Sequence, residues 1–567
     1  EKTNPAEEKF YVLENRFAQL VFSNLGGSLA EINLPFRSTE NPDSVILPIE
    51  SDKSLFKQDP ANLQFPLQSY FQPGLKKIAP ERKGGYYPLL RRSLLKPNGE
   101  IKIKADPAYY ALSLIDLEDE LFSSRPYKVV RFEENEIEFA LETGRGRISK
   151  TYTLPSSASG PLPYMLNVKI QTTLPSSQNL YLSSGIPEVE IVSNAANPSI
   201  KYRALISGKE KIKKPSLPKT SETFDQIALD WASNENSFFS LLINPVQPLN
   251  RFQARRIDGK SLPTRLTLID SAYNKYPASA YPGYQLLLPL NGPKPLEMRF
   301  FFGPCQDTLL KQLDREYLEL TGSSPDYSGL KEPFGFFSFV SDPFARFLFL
   351  IMKFFHFLTR SWGVSIILLT IAFRLMIYPL NSWSIRSTSR MNEVAPMVKI
   401  LQAKYKKDPK RAQMEIVQLY KEKKVNPASG CLPVLIQMPF LIGMFDLLKS
   451  TFELRGVPFI PGWIDNLTAP DILFSWKYPL YFIGTEFHLL PVLLGVVMLV
   501  QAQMNIKVPP GGVLTDQQKQ SKMMSWVMTV FLTFLFYNAA SGLNLYFFFS
   551  MLLGIVQQWH MGKRKQI

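Results

Sequence analysis

The stretch Gly363–Pro379, GVSIILLTIAFRLMIYP, constrains this chain more than any other. With its flanks it is long and apolar enough to cross a bilayer, yet it contains Arg374. A lone arginine at the centre of a span costs about 2.5–3.5 kcal/mol on insertion scales. No acidic residue three or four positions away on the same helix offsets it. Two readings follow. Arg374 marks a functional polar site inside the membrane, or it snorkels to the headgroups near Pro379 and Asn381.

Averages hide the division of the chain, because the mean hydropathy of −0.06 blends two unlike halves. Residues 1–330 are polar and hold no run that could span a bilayer, whereas residues 344–562 are dense in Phe, Leu, Met and Ile. Much of the net charge of +15 sits beside apolar runs, where the positive-inside rule puts it, so it is no signal for nucleic acid. Cys305 and Cys431 fall in different halves, so a disulfide is not expected and two thiols make no metal site. The first residue is Glu, so an exporting segment or anchor is expected before Glu1.

The first half alternates in short runs broken by turn residues, as in KFYVLEN, RFAQLVFSN and SLAEINL within residues 9–34. Similar runs recur at 136–143, 147–155, 164–174, 284–290 and 297–303. In YMLNVKIQTTL, Tyr164, Leu166, Val168 and Ile170 share one face and Asn167 and Lys169 the other. This predicts a large antiparallel β-sandwich over residues 1–325. Leu309, Leu310, Leu313, Tyr317 and Leu320 predict an amphipathic helix over 306–322 that closes it. All three histidines (His356, His488, His560) lie in the other half, so the sandwich has none for acid–base work or metal binding. GRGRIS (144–149) and DGKS (258–261) are fragments of Gly-rich motifs without the strand–loop–helix context, and read as turns. No cofactor is called for.

Residues 326–360 read as a linker and an amphipathic interfacial helix, starting at Ser341-Asp342-Pro343 and carrying Arg346, Lys353 and Arg360 seven residues apart. A true span merging with the next is the alternative. Residues 361–562 read as five spans, at about Trp362–Leu380, Gly430–Lys449, His488–Met504, Met523–Ala540 and Leu543–His560. Residues 382–428 read as a basic hairpin of two amphipathic helices broken at Asp408-Pro409, facing the cytoplasm or serving as a dock there. The basic segment 505–522 returns to that side, Ser541-Gly542 marks a tight turn, and 563–567 form a basic tail. An odd count of spans puts residues 1–343 outside and the C-terminus inside.

The strings FRLMIYPL (373–380), VNPASGCLPVLIQMPF (425–440), LPVLLGVVM (490–498) and SGLNLYFFFSMLLGIVQQ (541–558) occur in order with the basic hairpin between the first two. Together they resemble the YidC-type membrane protein insertases. AQLVFSNLGGSLAEINLPF (18–36) and FFGPCQD (301–307) resemble the large periplasmic domain of Gram-negative members. The resemblance covers essentially the whole chain. It implies an α+β multidomain membrane protein: a supersandwich-like periplasmic β-sandwich and a five-span α-helical core in the bacterial inner membrane. It implies a non-enzymatic insertase and chaperone whose hydrophilic groove opens to cytoplasm and lipid. By this resemblance Arg374 is the groove arginine, Thr370 lines the groove, Phe547 contacts substrate, and either Gln501 or Gln503 is the groove glutamine. Implied partners are nascent membrane proteins, the Sec translocon, ribosomes or targeting factors at the hairpin, and the lipid bilayer. The alternative is a polytopic small-molecule transporter or channel, which usually has paired intramembrane charges or an inverted repeat. A cell-envelope carbohydrate enzyme would need an acid–base pair in the first half.

Overall fold

The computed structural model describes residues 7–79, 85–144, 146–157, 160–174, 180–192, 195–290, 294–331, 338–406, 408–423, 438, 440–445, 447–448, 451–481, 483–505 and 516–564. The chain forms two compact units: Glu1–Glu332 with Ser450–Gly456, and Pro333–Lys449 with Val457–Ile567.

Among the described residues the first unit is built mainly from two sheets, with three two-stranded sheets beside them. The smaller runs in the order β5 (Lys76–Ile78), β4 (Tyr70–Gln72), β1 (Phe10–Asn15), β2 (Ala18–Ser23), β3 (Ser28–Pro35), β6 (Tyr86–Leu90). The larger has 13 strands, with the strand Met165–Thr172 paired antiparallel to Leu296–Pro304, and that one in turn to Phe239–Pro245. The alternation read in the sequence is what the structure uses: Leu166, Val168 and Ile170 are buried while Asn167, Lys169 and Gln171 face out. Leu13, Leu20 and Phe22 of the small sheet share one apolar core with Ile137, Phe139 and Leu166 of the large one, so the sheets pack face to face. One pairing departs from the antiparallel expectation, since β1 runs parallel to β4.

The predicted closing helix is α2 (Asp307–Thr321), which follows α1 (Glu50–Gln58) in the chain. Leu309, Leu310, Leu313 and Tyr317 are buried as expected, but Leu320 is 55% exposed, because it lies in the last turn before Gly322 ends the helix. Residues 326–331, expected in a linker, belong to the sandwich core instead: Tyr327 and Leu330 are fully buried in it. DGKS is a turn in which the Asp258 side chain accepts from Lys260 N, and GRGRIS falls at the hairpin between Glu136–Thr143 and Gly146–Thr153.

Ser450–Gly456 joins this unit from far along the chain. Phe452 enters the same core and meets Phe239 edge-on. Glu453 accepts from Asp307 N at 3.2 Å and pairs with Lys331 at 3.4 Å. The guanidinium of Arg455 is buried, with Nε 3.1 Å and Nη2 3.0 Å from Glu190 Oε1, Nη1 2.7 Å from Leu47 O, and its plane over Tyr87 and Phe239.

The second unit is helical: α3 (Ser338–Thr359), α4 (Trp362–Met376), α5 (Tyr378–Lys404), α6 (Pro409–Glu422), α7 (Leu489–Asn505), α8 (Asp516–Phe536) and α9 (Ser541–Arg564). Among the described residues no helix is long and apolar enough to cross a membrane. The 15 residues of α4 rise only about 22 Å. A one-residue break at Ile377, just before Pro379, ends it four residues short of the expected Leu380. The expected span at Gly430–Lys449 lies mostly outside the described residues, as do most of the segment 505–522 and the last residues of the basic tail. The interfacial helix begins earlier than Ser341, with Pro343 inside it. Arg360 follows its end with φ 57°, so the expected stripe of three cations keeps only Arg346 and Lys353 on the helix. Ser541-Gly542 is not a turn but the start of α9. There Ser541 N donates to Ala469 O at 2.7 Å and Gly542 N to Leu467 O at 2.9 Å. A Cβ on Gly542 would lie 2.9 Å from that carbonyl, so the helix start needs glycine.

Candidate functional site

Arg374 sits in the last turn of α4, where a cation is favoured by the helix dipole. Ser361 starts this helix by accepting from Val364 N at 3.4 Å. The helix packs against α3 and α9, burying Ile366, Leu369 and Phe373. Arg374 Nε and Nη2 both donate to Ser550 Oγ of α9, at 3.0 and 2.8 Å. Among the described residues no carboxylate pairs with this half-buried guanidinium. A neutral hydroxyl therefore holds the cation in place without cancelling its charge.

Gly554, one turn further along α9, lets the Gln501 and Arg374 side chains approach the helix backbone closely. A Cβ there would lie 3.2 Å from Gln501 Nε2 and 3.6 Å from both Arg374 Nη1 and Nη2. A terminal turn of α4, the end of α7 and the middle of α9 thus meet around one small residue. Phe547, Ser550, Gly554 and Gln557 follow one another by three, four and three positions, so they share a face of α9. Gln557 Nε2 donates to Ser382 Oγ at 3.4 Å, which continues the polar line onto α5.

Of the residues singled out in the sequence, the structure brings Arg374 and Gln501 together. Gln503 is exposed and apart from this cluster. Thr370 is fully buried and donates its hydroxyl to Ile366 O at 2.7 Å, within its own helix. Phe547 is half-buried, its ring 4.8 Å from Phe536 and 5.2 Å from Tyr546. Ser550, Gly554 and Gln557 were not singled out. Their signal was present: small and polar residues at helical spacing in an otherwise apolar run mark a face that packs closely or carries polar groups.

The outer faces of this unit are apolar where a soluble protein would be polar. On α8 Met523, Met524, Trp526, Val527, Val530, Phe531, Phe534 and Leu535 are exposed. On α3 the same holds for Phe347, Leu350, Phe354, Phe357 and Leu358. Patches of this extent need an apolar solvent or partner. Among the described residues no group of His, Cys, Asp and Glu is arranged to hold a metal.

These features define a membrane protein with a large β-sandwich unit and a helical unit whose interior carries a half-buried arginine beside hydroxyl and amide groups. The family described as 60Kd inner membrane protein matches residues 354–566. The membrane protein insertase YidC of Chlamydia muridarum is 45% identical over 98% of this chain and 70% of its own length. That of Chlamydia trachomatis serovar D is 45% identical over 99% of this chain and 71% of its own. A solved structure of an active YidC insertase, with its first transmembrane domain resolved, covers 97% of this chain and 94% of that one. Its identity is 17% and its TM-score 0.35, too low to argue from. The chain belongs to the membrane protein insertase YidC family.

Proposed function

We propose that this protein inserts nascent membrane proteins into the bacterial inner membrane and assists their folding, with the recess around Arg374 receiving the polar flank of each client segment. The observation that carries this reading is a half-buried guanidinium that donates to the neutral Ser550 hydroxyl, with no carboxylate paired to it among the described residues and the Gln501 amide close by at Gly554. A polar segment crossing hydrocarbon faces a large desolvation cost. A recess that supplies donors partway across shortens that path, and its positive charge attracts acidic residues. Burial of the client's apolar span in lipid drives the step, so no nucleotide and no covalent chemistry are needed. The mode of action is that of an insertase and chaperone rather than an enzyme.

In this reading Arg374 and Gln501 meet the client's polar flank, while Phe547 offers an apolar contact on the same face of α9. Thr370 supports α4 from within, and of the two glutamines Gln501 is the one that serves the recess. Five helical stretches cross the bilayer, with residues 1–343 in the periplasm and the C-terminus in the cytoplasm. The 15-residue α4 is shorter than a bilayer core, which local thinning of the bilayer accommodates. The basic hairpin of α5 and α6 faces the cytoplasm, where ribosomes or targeting factors dock, and the Sec translocon is a partner within the membrane. The transporter or channel alternative lacks an internal repeat in the sequence.

The test uses the protein reconstituted in liposomes and two single-span clients that differ only in carrying acidic or neutral translocated segments. Arg374→Ala should slow insertion of the acidic client about tenfold more than of the neutral one, the loss of one charge-assisted contact. Equal slowing of both clients would remove the charge from the mechanism.

A further inference from the structure

Among the described residues the helical unit carries a single sheet, a hairpin in which Phe474–Leu480 pairs antiparallel with Gly484–Phe487 and with no other strand. Its base is tied to the ends of two helices. Asp471 Oδ2 accepts from Leu489 N and Leu490 N at the start of α7. Tyr537, just past the end of α8, donates its hydroxyl to Glu486 O at 3.1 Å. Leu473 N donates to Phe487 O at 3.0 Å, which closes the base. Within the hairpin the Phe474 ring stacks on Phe487 at 4.9 Å and meets Trp476 at 6.0 Å, while Trp476 Nε1 donates to Gly484 O at 3.0 Å.

Beyond that base the hairpin stands uncovered. Leu473, Phe474, Tyr478, Leu480, Tyr481 and Ile483 are exposed, Tyr478 at 69% and Tyr481 at 86%. Two strands alone are marginal in water, and an exposed apolar edge invites pairing with other chains. So many rings need an apolar medium. Hydrocarbon itself does not serve, because the outer edge of each strand carries backbone N–H and C=O groups that lipid tails cannot satisfy. Lys477, exposed midway along the longer strand, excludes it too. The boundary between headgroups and acyl chains meets both demands, and rings with a polar tip such as Trp476, Tyr478 and Tyr481 collect there. The apolar surface is also continuous up to this place. Exposed Val530, Phe531, Phe534 and Leu535 run along α8 to the end from which Tyr537 holds the hairpin. A second protein seated on the rings would have to displace lipid from those last turns of α8 as well.

We propose that the hairpin is an interfacial anchor. Its rings lie in the leaflet at the N-terminal end of α7, about 5–10 Å into the headgroup and acyl boundary, as other amphipathic interfacial elements do. Through Asp471 and Tyr537 it sets the depth of α7 and α8 in the bilayer. The proposal takes from the reading above that α7 and α8 cross the bilayer; the chemistry of Arg374 does not enter it.

The test places an environment-sensitive fluorophore on Tyr481→Cys in the full chain. The background is Cys431→Ser, and Cys305 is buried and stays unlabelled. The protein is reconstituted in phosphatidylcholine vesicles whose acyl chains carry bromine either near the headgroup or near the terminal methyl. The label at Tyr481→Cys should lose about half of its emission to bromine near the headgroup and clearly less to bromine near the methyl end. A label at Val527→Cys, exposed midway along α8, should show the reverse order. With the label moved to Ile483→Cys, Tyr478→Asp and Tyr481→Asp together should abolish the quenching. No quenching at Tyr481→Cys while Val527→Cys is quenched overturns the anchor and leaves the spanning helices standing; no quenching at either site overturns both. Stronger quenching of Tyr481→Cys by the deep bromine puts the hairpin in hydrocarbon and overturns the proposal. So does a Tyr481→Cys label that lipid bromine leaves untouched but that is shielded from aqueous iodide, because a protein then covers it.

Discussion

Two single residues show how far local chemistry reaches. Lys150 is fully buried, donating to Gly26 O at 2.7 Å and Leu112 O at 2.8 Å with no carboxylate paired to it among the described residues, and burial pushes its pKa down to about 7. The unfolded chain returns it to the ordinary value of 10.5. Between those values the unfolded state binds the extra proton, so the stability of the sandwich rises with pH through this window, by up to on the order of 5 kcal/mol. Thermal unfolding followed from pH 7 to pH 10 should show a rising midpoint, and Lys150→Met should flatten the rise. Gly554 is the second case. Any side chain there meets Gln501 Nε2 and the Arg374 guanidinium, so Gly554→Leu should slow insertion of acidic clients about as much as Arg374→Ala does. Gly554 is buried, so a leucine displaces those two side chains and lowers the unfolding temperature as well. Gly554→Ala, whose Cβ presses only on the end of the Gln501 side chain at 3.2 Å, should slow the acidic client while leaving the unfolding temperature close to that of the parent; an unchanged insertion rate would mean that Gly554 serves packing and not the recess.

At the scale of elements, helix ends decide the shape of the recess. The start of α7 is held by Asp471, whose Oδ2 accepts from Leu489 N at 2.8 Å, Leu490 N at 2.9 Å and Trp463 Nε1 at 2.7 Å. Asp471→Ala should destabilise the helical unit by about 1–2 kcal/mol, measurable as a lower unfolding midpoint in detergent. This cap shows what kind of information sequence patterns carry. Strands such as Met165–Thr172 were legible because period-2 alternation is a local property. The cap was not, because Asp471 acts across 18 residues on a helix it does not belong to. The same holds for Ser541-Gly542, a turn signal by composition that tertiary bonds to Ala469 and Leu467 convert into a helix start. In the recess Arg374 was legible as a lone charge in an apolar run. Ser550 and Gly554 were legible only as small residues at helical spacing; that they meet Arg374 and Gln501 follows from tertiary packing, which the pattern does not carry.

At the scale of the whole molecule, the chain does not divide into a first part that is sandwich and a second part that is helices. It leaves the sandwich unit at Glu332 and comes back at Ser450 for seven residues, bringing Phe452 and Arg455 into the interior. Arg455→Ala would strand Glu190 beside Asp52 with only Arg265 to answer both carboxylates, and should lower sandwich stability by about 3–5 kcal/mol. Denaturant unfolding of the full chain checks this; a change under 1 kcal/mol would mean that Arg265 suffices alone. For anyone recombining relatives, the heritable module is therefore discontinuous. A chimera that grafts this sandwich domain onto foreign helices has to transplant the seven-residue patch from the loop as well, or leave Glu190 and Asp52 sharing one guanidinium in its interior.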